Sequence, residues 1–410
     1  MNPLLMAILQ QANNYRVVVV NWANIYTYTT NAVASTITKW IGAAINTKPT
    51  LPNTIESLPV VCNNNSTFRA NTVLTECYIE NSVTFPIVGN ASNMFSECIS
   101  LTTVNAMPEN TTRMDQTFYN CRNLVNAPII PANVTNMSYT FMSCTNLVNA
   151  PTIGANVTNM SYTFQSCANL VNAPSLPANV TDMGGTFSGC TNLVNAPTIG
   201  ANVTDMSYTF QSCANLVNAP TIGANVTNMS YTFMSCTNLV NAPSLPANVT
   251  DIRHTFRSCT NLVNAPIIPA NVTSMVSTFR SCTNLVNAPI IPANVTNMGG
   301  TFSGCTNLVN APSLPDNVTS IVSTFQSCAN LVNAPTIGAN VTDMSYTFMS
   351  CTNLAGNITL INTSVANMTN MFYGCNASIT KTLRCPTGSA TYNLAVNVVH
   401  GKNGVTVVAY

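Results

Sequence analysis

The sequence predicts an α/β repeat solenoid, with one short parallel strand and one helical turn in every 23-residue coil. Three observations carry this. Cysteines stand at 98, 121, 144, 167, 190, 213, 236, 259, 282, 305, 328 and 351, each 23 residues after the last. The residues between them are nearly identical, as a comparison of 144–167 with 213–236 shows. A constant period of this length builds stacked coils, whereas a propeller blade needs about 40 residues or more.

Residues 1–60 do not repeat and form an N-terminal docking or capping module. Asn2 before Pro3 is a helix start, with Leu4, Leu5, Ile8 and Leu9 as its apolar face. Residues 16–22 and 25–29 are rich in Val, Ile, Tyr and Thr and read as strands, and residues 50–53 as a linker.

Residues 61–375 are the solenoid. In each coil the Leu-x-x-Ala-Pro segment is extended, because proline biases its predecessor away from the helical region. It supplies the strand. Met160, Phe164 and Cys167 are spaced four and three apart and so share one face of a helical turn. The inward set is therefore Leu147, Ala150, Ile153, Val157, Met160, Phe164 and Cys167, repeated along the axis. No single coil buries enough surface to fold alone. Residues 376–410 leave the repeat. The alternation over 392–399, the turn at 400–404 and the apolar run 405–410 predict a C-terminal β-hairpin cap.

Composition narrows the function. Charged residues make up 6% of the 410, against roughly 25% in an ordinary soluble protein. With 12 Lys+Arg and a net charge of +1, the chain lacks the basic surface that nucleic acid or an anionic membrane would need. No apolar run reaches the length of a membrane span. The first residues carry no basic group before their short apolar run, so a secretory signal is not expected.

The run Val-Thr-Asn-Met-x-x-x-Phe-x-x-Cys-x-x-Leu resembles the BspA-like leucine-rich-repeat surface proteins. The copies Asn93-Met94-Phe95-Ser-Glu-Cys98 and Asn367-Met368-Thr-Asn-Met371-Phe372-Tyr-Gly-Cys375 are closer still. The resemblance covers residues 77–375 and implies a non-enzymatic binding or structural solenoid without a cofactor. Two departures stand out: Ala-Pro-x-Ile/Leu replaces the usual leucine-rich strand, and the secretion signal of bacterial members is missing. Similar Asn-Ala-Pro-rich versions resemble those of phage structural and tail-associated proteins.

No Cys-x-x-Cys pair exists and His254 and His400 are the only histidines, which argues against zinc. The cysteine ladder reads as buried free thiols, suited to folding in a reducing cytoplasm. Cys62, Cys77 and Cys385 lie outside the ladder, and a disulfide at an end stays open. Asp182, Asp205, Asp251 and Asp343 share a slot with Asn136, Asn159 and Ser274, as solvated turn residues would. Glu76, Glu80, Glu97, Glu109 and Asp115 read as a solvated acidic end rather than a cation site. The Asn of each Asn-Val-Thr is formally a glycosylation sequon, but its periodicity points to turn hydrogen bonds. No phosphate-binding loop, dinucleotide fingerprint or Ser/His/Asp set is present, and an enzyme is not expected.

Variation concentrates in the pair after Met and the residue after Phe. These slots should point outward. Tyr139, Tyr162, Tyr208 and Tyr231 would form an interrupted aromatic column, offering flat faces to sugars or proteins. Arg253, His254, Arg257 and Arg280 would form one basic spot able to hold a carboxylate or sulfate. Blocks such as Gly-Gly with Ser-Gly suit drift among recombining copies. The expected function is a virion protein, a tail or capsid appendage. Residues 1–60 would hold it to other virion proteins, and it would contact a bacterial surface glycan or protein. A bacterial cell-surface adhesin and a ligand-free spacer or lattice protein, including a homo-oligomer, are the alternatives.

Overall fold

A coil of 23 residues is stable only if its backbone donors and acceptors find partners on the coils before and after it. The computed structural model of the chain shows how this is done. It describes residues 68–72, 74–77 and 89–410 with their side chains, and residues 78–79 and the strands between 15 and 62 as backbone. The chain divides into two compact units, Met1–Gly200 and Ala201–Tyr410.

In the first unit, β1 (Tyr15–Asn21) and β2 (Asn24–Thr30) form the two expected strands and pair antiparallel. With β3 (Ser35–Trp40), β4 (Thr50–Leu51), β5 (Thr54–Ile55) and β6 (Leu58–Cys62) they precede the repeats. One sheet has the order β1-β2-β3-β6-β5. Part of the expected linker is a strand instead: β4 pairs in parallel with β7 (Glu76–Ile79), which pairs with β8 (Thr103–Val104). The helix expected from Asn2 lies outside the described residues.

The repeat is built as follows. Met137, Tyr139, Phe141 and Ser143 donate their N–H groups forward to the carbonyls of Asn159, Ser161, Thr163 and Gln165, at 2.7–2.9 Å. The N–H groups of Thr140, Met142 and Cys144 instead close turns on Met137, Tyr139 and Phe141, at 3.0–3.2 Å. Donors thus alternate between the coil's own turns and the next coil. The strand side donates backwards, from Val148 to Val125 and from Thr158 to Thr135. Each coil is therefore tied in both directions, and by different segments.

The expected helical turn is corrected by this arrangement. Met160, Phe164 and Cys167 are fully buried as predicted, but on a run of tight turns. Tyr139 and Ser143 have φ of 56° and 63°, and a right-handed helix cannot contain left-handed residues at every fourth position. A helix would also spend its donors inside the coil. The strand is shorter than expected. Parallel pairing is reduced to single residues, Asn126 with Asn149 and Asn149 with Asn172. Pro151, two residues on, has no N–H to extend the ladder. A second column of bridges runs through Asn136, Asn159 and Asp182.

Of the inward set, Leu147, Val157, Met160, Phe164 and Cys167 are fully buried and Ile153 nearly so, while Ala150 is half-buried. The Phe118, Phe141, Phe164 and Phe187 rings stack with centroids 5.3–5.6 Å apart. The threonine before each Phe is also fully buried, which the pattern of apolar residues did not reveal. The Thr163 hydroxyl lies 2.7 Å from the Met160 carbonyl and 2.8 Å from that of Met137, one coil back. Its single proton is shared between two otherwise buried acceptors.

The second unit repeats these rules. Met229, Tyr231, Phe233 and Ser235 donate to Asp251, Arg253, Thr255 and Arg257 at 2.7–2.9 Å. Phe233 stacks between Phe210 and Phe256, at 5.6 and 5.7 Å. The C-terminal cap differs from the hairpin expected. β9 (Gly356–Thr359), β10 (Lys381–Cys385) and β11 (Val405–Ala409) form a parallel sheet in the order β11-β10-β9. The crossover carries α1 (Ala390–Val398), whose N-cap Ser389 accepts the Tyr392 N–H. Thr391, Ala395 and Val399 are buried. This four-residue period of smaller side chains was hidden under the alternation of Leu394, Val396 and Val398.

The left-handed positions explain a pattern that sequence left to drift. Gly185 and Gly189 have φ of 63° and 74°, and Gly300 and Gly304 of 62° and 76°. Two of the three glycines of each block thus fall where other coils force Tyr, His or Ser into the left-handed region. Ser235, with φ of 62°, carries the cost of a Cβ there. Ser235→Gly should stabilise the chain by about 1 kcal/mol, measured by urea unfolding; a loss of stability would contradict this backbone. Phe233→Ala should cost about 3–5 kcal/mol through the cavity it leaves in the ring stack. An unshifted unfolding midpoint would contradict the register.

Candidate functional site

The variable slots sit on the turn side of the coil. Residues 139, 162, 208, 231 and 254 all take the left-handed position of the turn. Within each unit their side chains therefore leave successive coils in the same direction, Tyr139 and Tyr162 in the first and Tyr208, Tyr231 and His254 in the second. In the first unit the Tyr139 and Tyr162 rings stack at 5.0 Å and 9°. The Tyr162 ring then lies over Gly185, where a Cβ would meet its Cε1 at 2.3 Å. In the second unit Tyr208 stacks on Tyr231, and Tyr231 on His254, both at 4.5 Å and within 8° of parallel.

This narrows how the tyrosines can act. Tyr231 is covered by a ring on each face, and Tyr139, Tyr162 and Tyr208 by a ring on one, so the stacks present mainly edges and hydroxyls. The four tyrosines are half-buried. Burial raises the Tyr208 hydroxyl pKa, helped by the neighbouring Tyr231 hydroxyl.

The basic spot divides into two parts. Arg253 is committed to Asp251, with Nε to Oδ1 at 3.0 Å and its terminal nitrogen to Oδ2 at 2.6 Å. Asp251 also accepts the Arg253 N–H, and these bonds outweigh its partial burial and hold its carboxyl below the usual range. Asp251 was therefore more than a solvated turn residue; the Asp-x-Arg spacing, mirrored by Arg113-x-Asp115, was the signal available. Arg257 and Arg280 follow the Phe of successive coils, with Ser258 N–H bonded to the Arg280 carbonyl at 2.7 Å. Neither has an ion-pair partner among the described residues. His254 is pushed towards its neutral form by burial and by Arg257, Arg253 and Arg280. Its Nδ1 is buried and has no hydrogen-bond partner.

The other turn-side polar residues are structural. Asn136, Asn159, Asp182 and Asp205 each accept the N–H two residues on, at 2.7–2.9 Å. The sequon asparagines pass bonds between coils, as Asn156 Nδ2 to the Ala132 carbonyl and Asn271 Nδ2 to that of Ala247 show. At the acidic end, Glu97 pairs with Arg69 and Asp115 with Arg113; Glu80 lies outside the described residues. Among the described residues no cluster of His, Cys, Asp and Glu could hold a metal, and no helix is long and apolar enough to cross a membrane.

The ladder thiols are free and buried, as are Cys77 and Cys385. Within each unit the ladder thiols donate to Phe carbonyls of the preceding coil, as Cys167 Sγ does to Phe141 at 3.1 Å and Cys259 Sγ to Phe233 at 3.0 Å. Burial pushes Cys98 up to about 12 and Cys144 and Cys259 far above the ordinary 9.0. Such thiols are poor nucleophiles and fill the core.

Stacked coils with an inward Leu/Val/Met/Phe/Cys set and an outward turn side define a leucine-rich-repeat solenoid. Its relatives bear this out: the BspA type leucine rich repeat region matches residues 63–194, 160–286 and 275–387, and the chain belongs to that family. A leucine-rich repeat protein from Bacteroides ovatus is similar in structure, with a TM-score of 0.65 and 18% identity over 96% of this chain and 99% of that one. A leucine rich cell surface protein from Faecalibacterium prausnitzii gives 0.48 and 22%, over 88% and 96%. No curated protein matches the sequence, and the family and fold indicate no catalytic class.

The thiols give a pH prediction. Their folded pKa values lie above 9.0, so above that pH the unfolded chain releases protons that the folded chain keeps. Stability should be intact below pH 9 and fall as pH rises, by about 1.4 kcal/mol per unit for each such thiol. Denaturant midpoints between pH 8 and 10.5 should show this, and Cys259→Val should lower the slope by one proton. An identical slope would place Cys259 in contact with solvent.

Proposed function

We propose that this protein is a non-enzymatic recognition scaffold whose turn side contacts a bacterial surface glycan or protein. The observation that carries it is a division of labour. Residues held constant from coil to coil are buried or bonded to the next coil, while Tyr, Arg, His, Gln and Met fill the outward slots of the same frame. The contacting residues are Tyr139, Tyr162, Tyr208, Tyr231, Arg253, His254, Arg257 and Arg280.

For its setting, the reading is a virion appendage assembled in a host cytoplasm and held to other virion proteins through residues 1–60. Solenoid residues 61–375 would carry the contacts and 376–410 the cap. Its support is the thiol ladder: an oxidising compartment could cross-link neighbouring coils before they bury their cysteines. Exposure on a bacterial cell as an adhesin is the second reading, supported by the family resemblance. A lattice protein that associates with its own copies is a third. It is favoured by the strand side, where Val240 and Val286 are about two-fifths exposed and Ile267 and Ile290 stand 90% and 91% exposed.

Binding of labelled full-length chain to bacterial cells separates these readings. Pairs of variants on the turn side, Tyr139→Ser with Tyr162→Ser and Arg257→Gln with Arg280→Gln, should each weaken it about tenfold. Val148→Thr with Val240→Thr on the strand side should leave it unchanged. Uniform tolerance on the turn side would sink the scaffold reading and leave the lattice one. Mass spectrometry of separated virions and cell envelopes decides the setting.

A further inference from the structure

The positive charge of the second unit's repeats is gathered at one place. Between residues 201 and 380 the only Lys or Arg side chains are Arg253, Arg257 and Arg280. All three fall on two adjoining coils, beside the Tyr208–Tyr231–His254 stack. Asp251 neutralises Arg253, which leaves Arg257 half-exposed and Arg280 exposed, one coil apart. An anion meeting this unit's repeats therefore finds one region of attraction, with two free guanidinium groups at its centre. Guanidinium forks bind carboxylate and sulfate oxygens bidentately.

What lies beside the arginines limits the ligand further. Tyr231 lies between two rings and Tyr208 is covered by one, so the stack presents mainly edges and hydroxyls, which offer hydrogen bonds. Two apolar cavities of this unit are lined by residues such as Pro266, Ile267, Ile290 and Pro312, with no charged group among them. The hydroxyl row and the guanidinium pair lie on coils joined by hydrogen bonds from Tyr231 to Arg253 and from Ser235 to Arg257, so their relative placement is fixed by the frame.

We infer that Arg257 and Arg280, flanked by the hydroxyl edge of Tyr208 and Tyr231, form a binding site for an acidic saccharide bearing sulfate or carboxylate groups. The inference rests on the scaffold reading above and gives its ligand a chemical class. The two arginines hold the acidic groups, while the tyrosine hydroxyls accept from or donate to the sugar's own. Arg253 stays with Asp251 and shapes the edge of the site.

The test uses the full chain and four probes: a sulfated oligosaccharide, a carboxylated one, the neutral parent of the first, and a single-stranded oligonucleotide of matched charge. Calorimetry should show binding of the two acidic saccharides that weakens with salt, and none of the neutral parent. Arg257→Gln with Arg280→Gln should weaken it about tenfold or more, at an unchanged unfolding midpoint. Arg113→Gln with Arg122→Gln, in the other unit, should have no effect. Equal loss in both double variants would mean undirected charge attraction and overturn the site. Tighter binding of the oligonucleotide would reassign it to a phosphate backbone. If the saccharides fail to bind while cell binding still depends on the turn-side residues, the ligand class falls and the scaffold reading stands.

Discussion

Everything in the repeat depends on alternate N–H groups of the turn segment pointing at the next coil. Short bonds of 2.7–2.9 Å recur at each second residue from Met137 to Ser143 and from Met229 to Ser235. Intervening donors close tight turns, and this division is open to the chain only because every fourth residue is left-handed. Once it is made, the remaining features follow. Phe, Met and Cys side chains are stacked on their own copies, the buried threonine bridges two carbonyls, and the outward residues line up in columns. The backbone strain at Tyr139 or Ser235 is a local cost of that alternation.

The inward set was legible in the sequence because burial imposes one residue type at one place in every coil. Leu147, Val157, Met160, Phe164 and Cys167 could be assigned from the period alone, and all are buried. The backbone that holds them was not legible. Spacings of four and three fit a helical turn as well as two successive tight turns, and apolar pattern cannot tell them apart. The glycine blocks at 184–189 and 299–304 were the clue, since paired glycines four apart ask for left-handed residues. The cap was misread for a related reason: a helix whose buried residues are Thr391, Ala395 and Val399 leaves its larger side chains in alternation.

The variable slots were legible in the sequence, and their geometry was not. Sequence placed Tyr231, His254, Arg257 and Arg280 outward; Arg280 is exposed, while the other three are half-buried. Stacking could not be foreseen, because it depends on the coils bringing the rings within 4.5–5.0 Å of each other, centroid to centroid. For the arginines the Asp-x-Arg spacing hinted at a division that only the geometry makes definite. Asp251 removes one of them from the free charge of the surface, and that depends on an Asx turn aiming the carboxylate back at its second neighbour.

The two-way wiring of each coil has an evolutionary corollary. Because the turn segment gives its bonds forward and the strand side gives them back, any coil inside a unit can be excised or copied whole, and its former neighbours still meet compatible partners. Unequal recombination between such similar coding stretches would then alter length in fixed increments without creating a misfit. The residues in the outward slots would travel with their coil. A lineage could thus reposition, double or lose its guanidinium pair in a single genetic event, with no intermediate form that fails to fold.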